Sequence, residues 1–590
     1  MRLETENTKS LSGNVWKTSS ANEHIVEMVV QRYSLPAVIA KILIARGIEP
    51  ENIPNFLDPK LQTLMPDPYC LKDMEKAVLR ISQAVTENQK IAIIGDYDVD
   101  GATSSSLLKL FLEELGCQTV IHIPEREEGY GPSIGAVDKF IAQDCRLLIT
   151  VDCGTTAFEV FDYAKSKEID VIVLDHHEAE TKLPDVCALV NPKRLDESED
   201  CPDYLRYLAA VGVVFLTIVG INRHLRKIGF YQSHEEPDLT KWLDLVALGT
   251  VCDVVPLVGL NRAFVRQGLK VMSQRRNCGL KALIDKASVT EMPSTYHLGY
   301  VIGPRINAGG RVGDSLLGNE LLCCKDDIKA EVLATRMNEF NDQRKEIEAY
   351  VLLSAMETLE GTPQKYPMAF VYGTDWHQGV IGIVAGKLKE RYALPSIVMS
   401  VENDEVKGSA RSVSGLDIGA LIVAAKEKGL LTKGGGHVMA AGFSLKEENI
   451  EQFREFAGEY IIKALGQDSL SPVIEIDGVL DLAAVNPDMA EKIEVLEPFG
   501  AGNIEPKFRI NNVRMAKTEI VGSGHVRCFL SSKTGGNVKA VAFRAADNEM
   551  GKALLNNNGE TFHVVGVMRR DNWQGRNQVQ FIIEDAMRAG

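Results

Sequence analysis

The sequence predicts an α/β protein: two parallel-sheet α/β domains joined by a long helix, followed by a small C-terminal β-barrel. Three patterns predict this. Between residues 90 and 192, short apolar runs alternate with helix-length stretches. Residues 326–360 keep a single helical periodicity. From about residue 470, short alternating runs succeed one another at regular spacing, the pattern of a barrel. A chain of 590 residues has room for several cores of this kind.

Taken in order, residues 1–70 read as an N-terminal helical segment, polar in texture, with "ENIPNFLDP" as a loop. Residues 71–320 form the first α/β domain. Its strands are "KIAIIGD" (90–96), "QTVIHIP" (118–124), "RLLITVD" (146–152), "DVIVLD" (170–175) and "CALVNP" (187–192). Helices such as "TSSSLLKLFLEELG" and "AFEVFDYAKSKE" lie between them. Parallel sheets of this class hold ligands at the carboxyl ends of their strands, and three of these runs end in aspartate: Asp96, Asp152 and Asp175. The longest apolar run, "LAAVGVVFLTIVGI" (208–221), is too short to span a bilayer comfortably and reads as a buried core helix.

Residues 321–362 are the connector. Leu333, Met337, Phe340, Ile347 and Val351 share one helical face, Asp326 and Asp327 stand at the start, and "GTPQKYP" ends it. Residues 363–465 form the second α/β domain, with "MAFVYG" and "PSIVMSV" as strands and the Gly-rich "TKGGGHVMAAG" as a turn. Residues 466–590 carry the barrel runs, among them "HVRCFLSS", "VKAVAFR" and "QVQFIIED".

The formal net charge of −16 by itself argues against a nucleic-acid binder. The charge is uneven, however. Residues 507–590 hold 13 Lys and Arg against 7 Asp and Glu, a net of +6, which leaves −22 on the remainder. A basic tail on an acidic body points to an anionic ligand at the C-terminal end. The 11 cysteines are scattered without a CxxC pair, so reduced thiols in a cytoplasm are expected. Cys323 and Cys324 read as buried packing. "MRLETENTKS" has no secretory signal, and no membrane association is expected.

The chemistry lies in four stretches. In "GDYDVDGATS" (95–104), Asp96, Asp98 and Asp100 alternate and would share one face of an extended chain. An EF-hand opens the same way, but its twelfth position needs a glutamate, and here Leu107 stands there. "TVDCGTT" adds Asp152, and "VIVLDHHEAE" adds His176 and His177. "WLDLVALGTVCDVVPL" (242–257) sets Asp253 among apolar residues, where a lone carboxylate is costly unless a cation partners it. Carboxylate with imidazole suits Mn²⁺ or Mg²⁺ better than a structural zinc. Cys153 and Cys252 adjoin Asp152 and Asp253; on a strand neighbours face opposite ways, which removes both as ligands. The set reads as a two-metal site with Asp152 bridging, built to hydrolyse a phosphoester or pyrophosphate.

A second group offers anion contacts. "GSARSVSG" (408–415) supplies Arg411, a planar fork for phosphate. The glycine run with Gly435 and Gly436 frees the backbone to approach an oxyanion, and His437 adds a donor. "GPRINAGGR" (303–311) supplies Arg305, Asn307 and Arg311, and "WHQGVIG" (376–382) supplies Trp376, His377 and Gln378. Core packing is an equally good reading of Trp376.

In this order, "GDYDVDGATS", "TVDCG", "LDHH" and "GTVCDVVPL" resemble the four motifs of the DHH phosphoesterases, a family named for the triplet at Asp175, His176 and His177. "GSARS" with "GGGHVMAAG" looks like the associated DHHA1 substrate domain. "GPRINAGGR", "WHQGVIGIVAGKLKERY" and the barrel-like tail are similar to the family's bacterial single-strand-specific DNA exonucleases, and the tail resembles an OB-fold. The resemblance implies 5′→3′ degradation of single-stranded DNA to 5′-mononucleotides in recombination and repair, with two divalent ions, Mn²⁺ or Mg²⁺. By position it implies Asp98, Asp100, Asp152, His176 and Asp253 as metal ligands, and Asp96, Asp152 and His177 as catalytic. Arg411 and His437 become phosphate or 5′-end contacts, with Arg305 and Asn307 in the groove. The implied partners are single-stranded DNA, single-strand-binding protein and a RecQ-type helicase, for a cytoplasmic monomer. Departures from the family pattern are Pro132 where Leu is common, Val99 for Ala and Cys153 for Asn; none removes a ligand.

Overall fold

A computed structural model describes residues 9–125, 128–129, 131–361, 365–466, 472–533, 535–571 and 578–589. The first sheet has five strands in the spatial order Thr119–His122, Ile91–Ile94, Leu147–Val151, Asp170–Leu174 and Ala188–Val190, and every neighbouring pair is parallel. The chain leaves Ile91–Ile94 toward one edge, then returns to its other side at Leu147–Val151. Strand order therefore reverses between these two central strands, and such a switch point opens a crevice at their carboxyl ends. Asp96 and Asp152 follow those two strands.

The helix Val99–Glu114 is buried between this sheet and the helices Ala210–Lys227 and Leu243–Cys252. Thr103 and Ser105 are fully enclosed, and their hydroxyls donate back to the carbonyls of Val99 and Gly101. That is how a helix with polar residues on every side avoids unpaired groups in a core. The long apolar run is the buried helix Ala210–Lys227 as expected. Among the described residues no helix is long and apolar enough to cross a membrane. The helix Asp327–Gly361 joins the two α/β domains and buries Leu333, Met337 and Val351.

The second sheet departs from the expected parallel order. Its strands run Lys433–His437, Ala440–Lys446, Glu405–Arg411, Ser396–Glu402, Ala369–Thr374, and only the last pair is parallel. The reason is loop length: a parallel pair needs a crossover of a dozen or so residues. Asn403 and Asp404, both at positive φ, instead form a two-residue hairpin turn between Glu402 and Glu405. The glycine run is likewise no turn. Gly434, Gly435 and Gly436 lie within the edge strand Lys433–His437.

In the C-terminal domain Phe508–Val521, His525–Ser531, Asn537–Ala542, Gln578–Arg588 and Thr561–Asp571 pair in turn, and the last pairs again with the first, closing a five-stranded barrel. The N-terminal residues join it. Val15–Thr18 pairs with Val473–Ile476, and Val26, Val29, Ile39, Ile42 and Leu43 share a core with Phe508, Phe562 and Phe581. Trp16 Nε1 donates to the buried Asp585 carboxylate (2.9 Å). "ENIPNFLDP" is helical rather than a loop, with a 3₁₀ turn at Pro50–Asn52 running into the helix Ile53–Leu57. Cys323 and Cys324 are half-buried rather than fully enclosed, and all 11 cysteines are free.

Candidate metal centre

The three alternating acids do not lie on one extended face. Asp98 is the N-cap of the helix Val99–Glu114, accepting from the Gly101 backbone N–H (3.0 Å), so Asp100 already lies in the first helical turn. Gly101 permits this, because a Cβ there would come within 2.4 Å of the Asp96 carbonyl oxygen. The helical turn sends the acids to two places. Asp96 and Asp98 stand with Asp152, whereas Asp100 stands with His176 and Asp253. A third group joins Asp152, His176 and His177, and in each group the ligating atoms lie within 4.8 Å of one another. Asp152 and His176 each belong to two groups.

His176 sits at the middle. Its Nε2 is 3.2 Å from Asp152 and 3.8 Å from Asp100, and its Nδ1 is 3.6 Å from Asp253. Neither ring nitrogen makes a hydrogen bond, nor does Asp253 Oδ2, although all three are buried. Buried donors and acceptors are rarely left so. Burial, then the charge of neighbouring His177, lowers the His176 pKa to about 3, so the ring is neutral and able to offer a lone pair to a cation. The carboxyls shift the other way. Burial and the charges of Asp100 and Asp98 push Asp253 to about 9. Burial and Asp98 push Asp100 to about 7, despite backbone N–H donors at Ala210 (2.6 Å) and Val211 (3.0 Å). Burial and the surrounding acids raise Asp152 well above the usual range. Carboxylates that resist ionising together, around an imidazole with no hydrogen bond, fit a divalent cation with oxygen and nitrogen ligands.

Asp175 behaves differently, a role not legible in the sequence. Burial alone would raise its pKa, but the Nδ1 of His177 (2.7 Å), the Thr155 hydroxyl (2.6 Å) and backbone donors hold it well below the ordinary range. In return Asp175 raises the His177 pKa against the effect of burial. Asn191 braces the same corner, donating to Thr155 (3.0 Å) and the His177 carbonyl (2.8 Å).

Asp253 caps the C-terminal end of the helix Leu243–Cys252. The strand argument against Cys252 therefore does not apply. Its thiol donates instead to the Leu298 carbonyl (3.4 Å), and burial with the charges of Asp98, Asp100 and Asp253 keeps it protonated. Cys153 is buried in the core on the other side of the sheet, with Phe161.

The second group is spread more widely. Sheet register sets Arg411, Ala440 and His437 side by side on adjacent strands, so Arg411 and His437 share a face two strands apart. The Arg411 guanidinium is held by Ser409 (3.0 Å) and the Ala410 carbonyl (2.9 Å). Gly435 and Gly436 precede His437 on the same edge strand. Arg305 donates to Asn338 and the Val301 carbonyl; Asn307, on the same helix, is half-buried. Arg311 donates to the Gly379 carbonyl across the domain boundary. His377 is the N-cap of the helix Gln378–Tyr392, and Gln378 reaches Glu402. Trp376 is a correction: only 4% exposed, its ring packs with Val351, Val380 and Val398 and presents no face to a ligand.

A groove of about 1490 Å³ runs from beside Asp253 between the first domain and the barrel. Tyr296 and Tyr300 form one wall, 57% and 75% exposed, with ring centroids 5.4 Å apart and planes 29° apart. Arg569 and Arg570 stand on the other wall, paired to Glu505 and Glu494. The barrel's basic excess is thus partly neutralised on its own surface: Lys507, Arg527 and Arg588 are also in ion pairs.

One test concerns the acids alone. A carboxyl at about 9 when folded and 3.8 when unfolded stabilises the metal-free protein fully below 3.8, and that contribution is lost as pH rises through about 9. In EDTA, Asp253→Asn is therefore expected to melt higher than the parent near pH 8, with the gap closing toward pH 4. Saturating Mn²⁺ reverses the order. A gap independent of pH in thermal melts would contradict the buried-acid account.

Comparison with known proteins places these features in a family. The DHH family N-terminal domain matches residues 90–250, the DHHA1 domain residues 365–463, and the RecJ OB domain residues 476–585. The chain is 33% identical over 566 residues to the single-stranded-DNA-specific exonuclease RecJ of Escherichia coli, covering 93% of this chain and 96% of that one. It is 35% identical to the Dickeya dadantii RecJ, over 85% of this chain and 88% of the relative. A crystal structure of Thermus thermophilus RecJ in complex with Mn²⁺ has the same fold, with TM-score 0.80 at 24% identity, covering 98% of this chain and 80% of that chain. A structure of exonuclease RecJ bound to manganese matches with TM-score 0.55 at 29% identity, over 66% of this chain and 94% of that one.

Proposed function

The chain belongs to the RecJ family and is a metal-dependent nuclease; from that premise we propose that it degrades single-stranded DNA 5′→3′, releasing 5′-mononucleotides by hydrolysis assisted by two divalent ions, Mn²⁺ or Mg²⁺. The observation that carries the reading is the position of the acid and imidazole groups. They converge at the switch point of the parallel sheet, at the mouth of a groove walled by exposed aromatic rings and arginines.

Asp96, Asp98 and Asp152 would hold one ion, and Asp100, His176 and Asp253 the other, with Asp152 and His176 reaching toward both. When bound, the ions supply Lewis acidity for in-line attack of water on phosphorus. The chain's own residues do the rest. Asp175, at His177 Nδ1, favours the protonated ring near Asp152, and the proton on the ring's other nitrogen would pass to the departing 3′-oxygen. Arg411 and His437 hold the 5′-phosphate of the terminal nucleotide, with Gly435 and Gly436 leaving the backbone open to it. Arg305, Asn307 and Arg311 line the approach, with His377 and Gln378 at the edge of the second domain. The groove receives the following nucleotides, their bases on Tyr296 and Tyr300. A duplex cannot present separated bases to such a wall. We extend the proposal to a role in DNA recombination and repair, as a cytoplasmic monomer working with single-strand-binding protein and a RecQ-type helicase.

The test uses a 5′-labelled single strand beside a matched blunt duplex, each with Mn²⁺ and with EDTA. Labelled mononucleotide should appear first, from the single strand alone and with metal alone. Cleavage of di- and trinucleotides without release from the long strand would replace this reading with a small-substrate phosphodiesterase.

A further inference from the structure

The loop that follows Asp253 is held in place by the C-terminal domain. Val254 has φ 60°, and it is the one β-branched residue at positive φ among the described residues. A left-handed valine is a genuine outlier that persists only where its surroundings impose it. Packing around the valine itself does not impose it, since Val254 is 70% exposed. The next residues are pinned. Leu257 N–H donates to the Ala501 carbonyl (2.8 Å), and the buried Leu257 side chain packs at Gly500, where a Cβ would come within 2.7 Å of it. Gly502, at φ 70°, lies against Pro256, where a Cβ would come within 2.9 Å.

Arg262 locks the arrangement from beneath. It lies in the first turn of the helix Gly259–Ser273, which this loop enters, and it is fully buried. Its guanidinium donates to the carbonyls of Leu496 (2.8 Å), Glu497 (2.7 Å) and Pro498 (3.1 Å) in the C-terminal domain, and to Phe56 (2.7 Å) in the N-terminal segment. Its face lies 4.0 Å over the Phe56 ring. Among the described residues its hydrogen bonds all go to carbonyls, so this buried arginine is held by directed hydrogen bonds more than by charge pairing. Asn503 binds the same segment from the other side, donating to the Leu496 and Pro498 carbonyls (2.8 and 2.9 Å).

We propose that Arg262 and the segment 496–503 clamp the loop 254–258 and thereby position Asp253, so that the C-terminal domain sets the metal affinity of a site it does not touch. This rests on the reading of Asp253 as a metal ligand, and Arg262 is a positioning residue. Supporting residues one step from a ligand commonly govern metal affinity by about 10–100-fold. The strain at Val254 supplies the direction: without the clamp the valine relaxes to negative φ and carries the loop away from Asp253.

The test is Mn²⁺ uptake by the full-length protein without DNA, read from the paramagnetic resonance signal of free Mn²⁺. Arg262→Met should weaken binding by about 10-fold or more. Adding Val254→Gly to that variant should recover most of the loss, because glycine adopts φ 60° without strain. A merely loosened protein would not be rescued this way. If Arg262→Met does not fold, Gly502→Ala, which presses the barrel segment against Pro256, should weaken Mn²⁺ uptake in its place. Unchanged affinity in these variants, or no rescue by Val254→Gly, overturns the clamp. If the parent protein takes up no Mn²⁺, the metal reading itself falls and the clamp with it. Normal uptake without nuclease activity would count against the proposed substrate only.

Discussion

Asp152→Asn removes exonuclease activity, lowering kcat by at least ~10³-fold, about 4 kcal/mol of transition-state stabilisation. Asp152 carries this weight because it belongs to two of the three ligand groups and lies 3.2 Å from His176 and 4.0 Å from His177. Asparagine is the right replacement. Asp152 has φ 60°, a conformation that asparagine adopts at less cost than alanine, so the backbone stays in place while the charge goes. Circular dichroism and the melting temperature should remain near those of the parent, or rise in EDTA. Near-normal turnover of a folded Asp152→Asn protein would end the two-ion assignment.

Replacing both Tyr296 and Tyr300 by alanine separates strand binding from chemistry. Stacking contributes about 1–3 kcal/mol per base. The double variant is therefore expected to raise KM for a long single strand by about 30-fold or more, while dinucleotide hydrolysis, which needs only the site at the groove's mouth, changes little. Both rings are largely exposed and belong to no core, so stability should be unaffected. Equal losses on both substrates would remove the tyrosines from the strand path. Point variants are the cleaner instrument here. Deleting residues 470–590 would also strip the partner from Val29, Ile39 and Leu43, which fold into the barrel.

Much of the candidate site was legible because its acids and imidazoles lie where strands end. Asp96, Asp152 and His176 each follow an apolar run, and a parallel sheet must deliver such residues to one edge whatever the rest of the chain does. The long connector was legible for the same kind of reason, since a period of 3.6 residues is written along the chain itself. Trp376 was ambiguous because its burial is decided by Val351 and Val398, elements distant in sequence. The direction of the second sheet was in fact signalled, by Asn403 and Asp404, but a two-residue turn is easily lost between longer apolar runs.

What the sequence by itself determined is local: the strand and helix periods, the caps, and the residue types offered to a metal and to phosphate. The tertiary structure alone decided which of these meet. It split Asp96 and Asp98 from Asp100, joined residues 9–57 to a barrel more than 400 positions away, and laid Tyr296 opposite Arg569. It also put Arg262 under a loop of another domain. The physical reason is that periodicity and capping are satisfied within a few residues, whereas burial and the pairing of buried polar groups are satisfied by whatever the fold brings near.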